Sequence, residues 1–340
     1  MSKVGGQMKM TVGITMGDPA GIGPEIVCKS LLDKDLHDKC KALVIGSAEV
    51  INFVIKELGL DAKVNIISHP GEAKFQYKTI DILDLPLDYE FKPGVLQVGN
   101  GKAALDQIYK AAELLKSNEI DATCTAPTNK EAMKMAGSKH TGATELFGYL
   151  FNAKSTTTVI RQDGYYVFQL TNHVPLRKAL DLINEDFLYE KIKEIDSILK
   201  GFGLMEAKIA LSGLNPHAGD GGLLGDEENS IFKPAINRLR EENIRVSHPL
   251  PADTIFKRGL KGEYDAIVLP FHDIANIGVK LISDMLPAVV ITAGLPYIRT
   301  TVAHGTAYDI AYKGIADFNQ IKQSILTAAE LSANFKMKNK

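Results

Sequence analysis

Short runs of β-branched and apolar residues recur from end to end of the chain, separated by longer stretches with apolar positions three or four residues apart. The short runs predict strands at 11–15, 42–45, 64–67, 122–125, 157–160, 165–170, 208–212, 266–269 and 288–292. The longer spacing predicts a helix over 101–117, where Leu105, Ile108, Ala112 and Leu115 share a face, and another over 187–199. Clusters of Pro, Gly, Asn and Asp mark loops at 18–24, 127–129, 215–225 and 249–253. Parallel neighbours need long crossovers, so strands alternating with helices predict an α/β fold with a largely parallel sheet. No internal repeat or low-complexity segment interrupts the alternation.

Composition narrows the class. The 340 residues are 45% hydrophobic and 24% charged, which allows a substantial core and two domains. A net charge of -2, from 39 basic and 41 acidic residues, offers no footprint for nucleic acid or an anionic membrane, so a small-molecule partner is expected. Cys28, Cys40 and Cys124 form no C-x-x-C pair, which argues against a disulfide framework or a zinc knuckle and for a reducing compartment. Gly13, Gly17 and Asp18 break the N-terminal apolar run, so no signal peptide or membrane span is expected and a cytoplasmic location is. Residues 1–7 are aperiodic and are expected to be a ragged start ahead of Met8 or Met10.

Ligands of open α/β sheets bind where the carboxyl ends of strands emerge. Three histidines meet that condition: His173 follows 165–170, His217 follows 208–212, and His272 follows 266–269. Each lies in a turn-rich loop, and three imidazoles converging on one ion with an open position would make a catalytic metal site. Singly, each is more often a hydrogen-bonded or surface residue than a metal ligand. His37, His69, His140 and His248 lack this placement, and His304 alone shares a loop rich in site-like residues. Asp273, Asp220 and Asp253 supply nearby carboxylates that could orient a ligand or take a proton, although Asp220 suits a turn equally well.

Two glycine segments are candidates for an anion. The first, Gly17-Asp18-Pro19-Ala20-Gly21-Ile22-Gly23-Pro24-Glu25, joins a strand to a helix, with glycines for close backbone approach and Pro24 suited to a first turn. Ile26 occupies the last position of its only G-x-G-x-x-G frame, so a standard Rossmann site is disfavoured. The second, His304-Gly305-Thr306-Ala307, precedes an apolar helical pattern and could hold a cofactor phosphate on its N–H groups. A Walker A sequence, a G-x-S-x-G elbow and an H-E-x-x-H helix are absent, which removes kinase, serine hydrolase and zincin readings.

Several long motifs occur in order: Met16-Gly-Asp-Pro-Ala-Gly-Ile-Gly-Pro-Glu25, Thr125-Ala-Pro-Thr-Asn-Lys130, Leu214-Asn-Pro-His-Ala-Gly219 with Gly225-Asp-Glu-Glu228, Leu250-Pro-Ala-Asp-Thr254, and Gly294-Leu-Pro-Tyr-Ile-Arg299 with His304-Gly-Thr-Ala307. Together they resemble the 4-hydroxythreonine-4-phosphate dehydrogenase family of vitamin B6 (pyridoxine) biosynthesis and its sugar-acid phosphate paralogues, within the isocitrate and isopropylmalate dehydrogenase-like superfamily. The resemblance implies a two-domain α/β subunit, 1–130 with 285–340 on the cofactor side and 131–284 on the metal, substrate and dimer side, with an inter-domain cleft. It implies a homodimer with shared active sites, NAD or NADP, and one divalent metal ion (Zn, Mg, Mn or Co). The metal histidines match His173, His217 and His272; the substrate-binding residues match Thr144, Lys280 and Arg299, with Asp253 in the same class. Asp18, Gly23, His304, Gly305 and Thr306 are the expected cofactor contacts, and Asp273 or Lys280 the expected proton acceptor. The implied reaction is metal-dependent oxidation, with decarboxylation, of a small 4-phosphorylated hydroxy acid.

The departures from the family pattern cluster where substrate is held. Gly-His-Thr-Glu reads Gly142-Ala143-Thr144-Glu145, Tyr-His-Asp-Gln-Gly reads Phe271-His272-Asp273-Ile274-Ala275, Asn-Ile-Thr reads Val290-Ile291-Thr292, and Asp-His-Gly-Thr reads Ala303-His304-Gly305-Thr306. Loss of a histidine and an asparagine removes hydrogen bonds worth about 1–3 kcal/mol each when a polar substrate group is left unpaired. A paralogue acting on 4-phosphoerythronate or 4-phosphothreonate is therefore a second reading. A metal-bound binding protein without turnover is a third, from another class.

Overall fold

The computed structural model of the protein describes residues 3–4, 7–283 and 285–338. In chain order the strands are β1 (Lys3–Val4), β2 (Gln7–Met8), β3 (Thr11–Thr15), β4 (Lys41–Gly46), β5 (Lys63–Ile67), β6 (Thr79–Asp84), β7 (Ala122–Thr125), β8 (Thr157–Gln162), β9 (Tyr165–Gln169), β10 (Ile209–Leu211), β11 (Ala266–Leu269), β12 (Val289–Ala293) and β13 (Ile298–Thr301). The α-helices are α1 (Gly23–Leu31), α2 (Lys34–Lys39), α3 (Ala48–Glu57), α4 (Val98–Lys116), α5 (Lys130–Met135), α6 (Ala143–Leu150), α7 (Leu176–Leu182), α8 (Glu185–Gly201), α9 (Lys233–Glu241), α10 (Ala252–Leu260), α11 (His272–Ile282) and α12 (Asn319–Lys338). Every strand predicted from the hydrophobic pattern forms, with ends moved by two residues or fewer. Both predicted helices form, as α4 and α8.

Two strands escape the pattern: β6, whose Ile80, Ile82 and Leu83 are interrupted by Asp81, and β13, whose sequence is mostly polar. In β6, Asp81 is buried and its carboxylate accepts from Asn65 Nδ2 and from the backbone N–H groups of Lys74 and Phe75, so a charged residue sits inside the fold with its bonds satisfied. In β13, three of four residues are Arg or Thr, and the strand exists because neighbours pair with it on both sides. The segment expected to be a ragged start also differs: β1 and β2 form a two-stranded antiparallel pair, while Met1, Ser2, Gly5 and Gly6 lie outside the described residues.

The chain divides into two compact units, Met1–Thr157 with Val289–Lys340, and Thr158–Ala288. In the first, the strand order is β12-β13-β7-β3-β4-β6-β5, parallel throughout except for β12 against β13. Ala104, Leu105, Ile108, Ala111, Ala112 and Leu115 bury one face of α4 against Leu43, Ile45 and Phe147. Full burial of one such leucine or isoleucine stabilises the fold by about 1.5–3 kcal/mol. This unit extends beyond the boundary near residue 130 expected from sequence, because α5 and α6 both pack on α4.

In the second unit the order is β10-β11-β9-β8, with β8 antiparallel to β9 and the others parallel. Its core holds Ile160, Tyr165, Val167, Ile255, Ile267, Leu269 and Val279. Since β9, β11 and β10 run parallel, their carboxyl ends share one edge, from which the segments carrying His173, His272 and His217 depart. Cys28, Cys40 and Cys124 are buried and unpaired. Among the described residues no helix is long and apolar enough to cross a membrane.

Candidate active site

Strand β13 carries Arg299 into the interior of the first unit, where it is 2% exposed. Its Nη1 donates to Thr144 Oγ1 at 2.9 Å and to Thr292 Oγ1 at 2.7 Å, and Nη2 donates to Thr125 Oγ1 at 2.7 Å. The hydroxyls come from α6, β12 and β7, and Thr292 sits directly opposite Arg299 in the β12–β13 register. The guanidinium carbon lies 5.2 Å from the centre of the Phe147 ring. Nε has no hydrogen-bond partner, and among the described residues no carboxylate pairs with this cation. Burial pushes the guanidinium down to about 10, so it stays charged at neutral pH. A buried cation met by neutral hydroxyls and an aromatic ring, with no carboxylate, keeps part of its desolvation cost, which an anionic ligand would relieve. Thus two expected substrate contacts, Thr144 and Arg299, meet in one cluster.

The first glycine loop packs on the chain's own backbone. A Cβ on Gly23 would meet Met16 O at 2.5 Å, and one on Gly21 would meet Thr306 O at 2.8 Å. Those glycines therefore serve contact between protein segments, including the one between this loop and the second glycine segment. Asp18 is fully buried, accepting from Ala20 N at 2.8 Å and from Tyr308 Oη at 2.6 Å. Burial raises its carboxyl above the usual range, although the Tyr308 hydroxyl and the Ala20 N–H pull the other way. Burial likewise raises the Tyr308 phenol, with the Asp18 carboxylate adding to the effect. Gly305 is exposed, and the N–H groups of His304, Gly305 and Thr306 have no protein acceptor among the described residues.

The helix expected directly after Ala307 does not form. Residues 308–312 make turns, Ala307 and Tyr312 have φ of 42° and 62°, and α12 starts only at Asn319. The tyrosines face the first loop instead, with Tyr312 Oη donating to Pro19 O. Free N–H groups in a turn can still hold an anion, without a helix behind them.

In the second unit His173 and His272 come together, with ring centres 4.8 Å apart. His272 Nδ1 is 2.8 Å from Asp273 Oδ1, a contact that fixes the ring and leaves Nε2 for a ligand, as carboxylates do for metal-binding histidines. These two imidazoles fit as donors to a divalent ion. Among the described residues, however, no group of three His, Cys, Asp or Glu side chains is close enough to hold one. The convergence of three histidines expected from sequence is thus seen for two of them.

His217 is set apart by its backbone. Residues 217–221 all have positive φ, from 44° at Asp220 to 79° at Gly219, and the three that are not glycine cost about 1–2 kcal/mol each in that form. Glu228 offsets this strain: Oε1 accepts from Leu214 N at 2.7 Å and from Asn215 N at 2.8 Å, while Oε2 accepts from Asn215 Nδ2 at 2.9 Å. Burial pushes this carboxyl up, but the Asn215 and Leu214 donors outweigh it and hold it below its usual range. Lys280 lies two helical turns along α11 from His272, with Asn276 between them donating to His272 O at 2.9 Å. Asp273 and Lys280 are exposed, as is Asp253 in the first turn of α10.

The family profile described as pyridoxal phosphate biosynthetic protein PdxA matches residues 38–328. The chain belongs to the PdxA family. A D-threonate 4-phosphate dehydrogenase of Pectobacterium atrosepticum is 39% identical over 328 residues, covering 96% of this chain and 100% of the relative. The crystal structure of a 4-hydroxythreonine-4-phosphate dehydrogenase from Klebsiella pneumoniae is similar at a TM-score of 0.85 and 38% identity, covering 96% of this chain and 98% of that one. Its counterpart from Burkholderia phymatum gives 0.82 and 37%, covering 96% and 99%.

Within this PdxA-family chain, sequence reasoning passed over Thr125, Thr292, Phe147, Tyr308 and the role of Glu228. Thr125 and Glu228 close or open motifs that drew attention for other residues, and a threonine carries no charge signal of its own. What marks them is register: β13 lies between β7 and β12, and that placement brings their hydroxyls around Arg299.

Proposed function

We propose that the protein is an NAD(P)-linked, metal-dependent dehydrogenase of a small 4-phosphorylated hydroxy acid, with a threonate-type acid as its preferred substrate. The observation that carries this reading is the buried, carboxylate-free Arg299 held by Thr125, Thr144 and Thr292, a fixed cation that suits an anionic substrate group. Ala143 and Val290 offer no hydrogen-bonding side chain, which favours a substrate without an amino group to satisfy. Similarity to dehydrogenases named for 4-hydroxythreonine 4-phosphate supports that amino acid as the second reading.

His173 and His272 would hold the divalent ion, with His217 as the third donor, and Gly23, His304, Gly305 and Thr306 would line the cofactor site. When bound, the ion polarises the substrate's alcohol oxygen and the dinucleotide accepts the hydride. Arg299 with Thr144 in the first unit, and Lys280 and Asp253 in the second, are the proposed binders of the substrate's anionic ends. Asp273 or Lys280, both solvent-exposed, is the proposed acceptor of the hydroxyl proton. In the β-keto acid left by oxidation, the bond to the carboxylate would break with its electron pair moving to the ketone oxygen as an enolate, releasing carbon dioxide, and the enolate would then take a proton at carbon.

The active unit is proposed to be a cytoplasmic homodimer. Support comes from Ile277 and Leu281 on α11 and from Met285, which are 60%, 77% and 77% exposed and form apolar surface beside the proposed site residues. The test is NAD(P)H formation by purified protein given D-threonate 4-phosphate, 4-phosphoerythronate or 4-hydroxythreonine 4-phosphate with each divalent metal. Reduction with a phosphorylated acid supports the reading; none under any combination would leave the binding-protein alternative.

A further inference from the structure

The segment 303–308 is tied at intervals to the rest of its unit while its centre stays open. Ala303 N donates to Gln320 Oε1 at 3.1 Å, and Thr306 O accepts from Ile22 N at 2.9 Å. Tyr308 Oη donates to Asp18 Oδ2 at 2.6 Å. Between these ties the N–H groups of His304, Gly305 and Thr306 have no protein acceptor among the described residues. Ala307, at φ 42°, turns the chain from the open stretch into the tyrosine, a form that an L-residue adopts only when its surroundings hold it there.

The tie at Tyr308 differs from the other two. It joins a side chain to a fully buried carboxylate, and that carboxylate is fixed in turn by Ala20 N at 2.8 Å. Ala20 O accepts from Gly94 N at 2.8 Å, so the loop behind Asp18 is itself anchored. Rotation of the Ala307 backbone would withdraw the half-buried hydroxyl from Asp18 and take away one of the two donors of a fully buried carboxylate. Such a charge-assisted bond between fixed groups defines one backbone form among several that a turn could take.

We infer that Tyr308 is a positioning residue for the dinucleotide, its hydroxyl on Asp18 setting the N–H groups of His304, Gly305 and Thr306 to receive a phosphate. Asp18 then acts through Tyr308 and touches no ligand, because it is buried and both its oxygens are taken. The inference rests on the reading that this segment takes NAD(P). The phosphate itself would be held by backbone N–H groups, an arrangement that needs no side-chain cation.

The experiment is Tyr308→Phe, which removes one oxygen and keeps the ring. Calorimetric titration with NAD+, NADP+ and ADP should show Kd raised about tenfold for the ligand that wild type binds. The KM for that dinucleotide should rise by the same factor, with kcat at saturation within about twofold and the KM for the acid substrate unchanged. Asp18→Asn, which can still bond the phenol, should lose less affinity than Asp18→Ala. Wild-type Kd in Tyr308→Phe overturns the inference. A parallel rise in both KM values with a fall in Tm overturns it too, as the mark of a merely structural contact. If wild type binds none of the three ligands, the cofactor reading fails first and takes this inference with it.

Discussion

The Nη2 of Arg299 donates to the hydroxyl of Thr125 at 2.7 Å, a contact that places a buried cation on a neutral acceptor. A stability-driven interior would pair that charge with a carboxylate or replace it by an apolar side chain. Arg299→Met should therefore separate function from stability. We expect kcat/KM to fall at least about 100-fold, through loss of a charge-assisted contact to the anion. Tm should move by no more than about 3 °C, because removing the unpaired charge offsets the hydroxyls left behind. Thermal melts beside steady-state kinetics check this, and full activity in the variant would remove Arg299 from the substrate site.

Much of the fold was legible because alternation and helical spacing report directly on which side chains must be buried. The pattern found β3, β4 and β7 without difficulty, since each is uncharged or aliphatic over its buried length and central in the sheet. It missed β13, whose Arg299, Thr300 and Thr301 look like a loop until β7 and β12 are seen on either side. It also placed a helix after Ala307, where positive φ at Ala307 and Tyr312 and the bonds of Tyr308 and Tyr312 to the first glycine loop hold a turn instead. The histidines could be located because strand ends in a parallel sheet share an edge. Their approach depends on loop conformation, and no pattern in 215–222 announces six successive positive φ angles.

The pairing of His173 with His272 predicts unequal effects on metal content. Replacing either by Ala removes one of two adjacent donors and should lower affinity for Zn2+ or Mn2+ by more than about 100-fold, beyond the roughly 10- to 100-fold that loss of a partner behind a ligand costs. Asp273→Asn should have a smaller effect through ring orientation, while His37→Ala should be silent. Metal analysis after dialysis against a graded chelator checks the order. Unchanged metal content in both single variants would remove these residues from the metal site.

Asp18 makes stability depend on pH in a defined direction. Its folded-state pKa is raised by burial above the unfolded value of about 3.9, so the folded chain holds the proton more tightly. The contribution is complete below about pH 3.9 and is lost as pH rises through the folded value. Asp18→Asn removes this titration and should gain Tm relative to wild type as pH rises from about 4, levelling off above the folded pKa. Melts from pH 3 to pH 8 measure the difference. A gap of constant size across that range would show that Asp18 does not titrate as its burial requires.

Substrate choice tests what the altered positions do. Ala143 immediately precedes Thr144, whose hydroxyl accepts from Arg299, and Val290 stands two residues before Thr292, the other acceptor of Nη1. Both changed positions therefore flank the cluster proposed to hold the acid, and neither side chain can bond an amino group. A site that lacks a polar partner discriminates weakly, and each missing contact shifts the preference by roughly tenfold. D-threonate 4-phosphate and 4-phosphoerythronate should exceed 4-hydroxythreonine 4-phosphate in kcat/KM by about tenfold or more, measured under one metal and one cofactor. Ala143→His with Val290→Asn should move the ratio back toward the amino acid by raising its kcat/KM, with smaller losses for the sugar acids. If the amino acid substrate wins in the wild-type protein, the altered positions are neutral and contacts elsewhere, such as Asn172 or Asn276, satisfy the amino group.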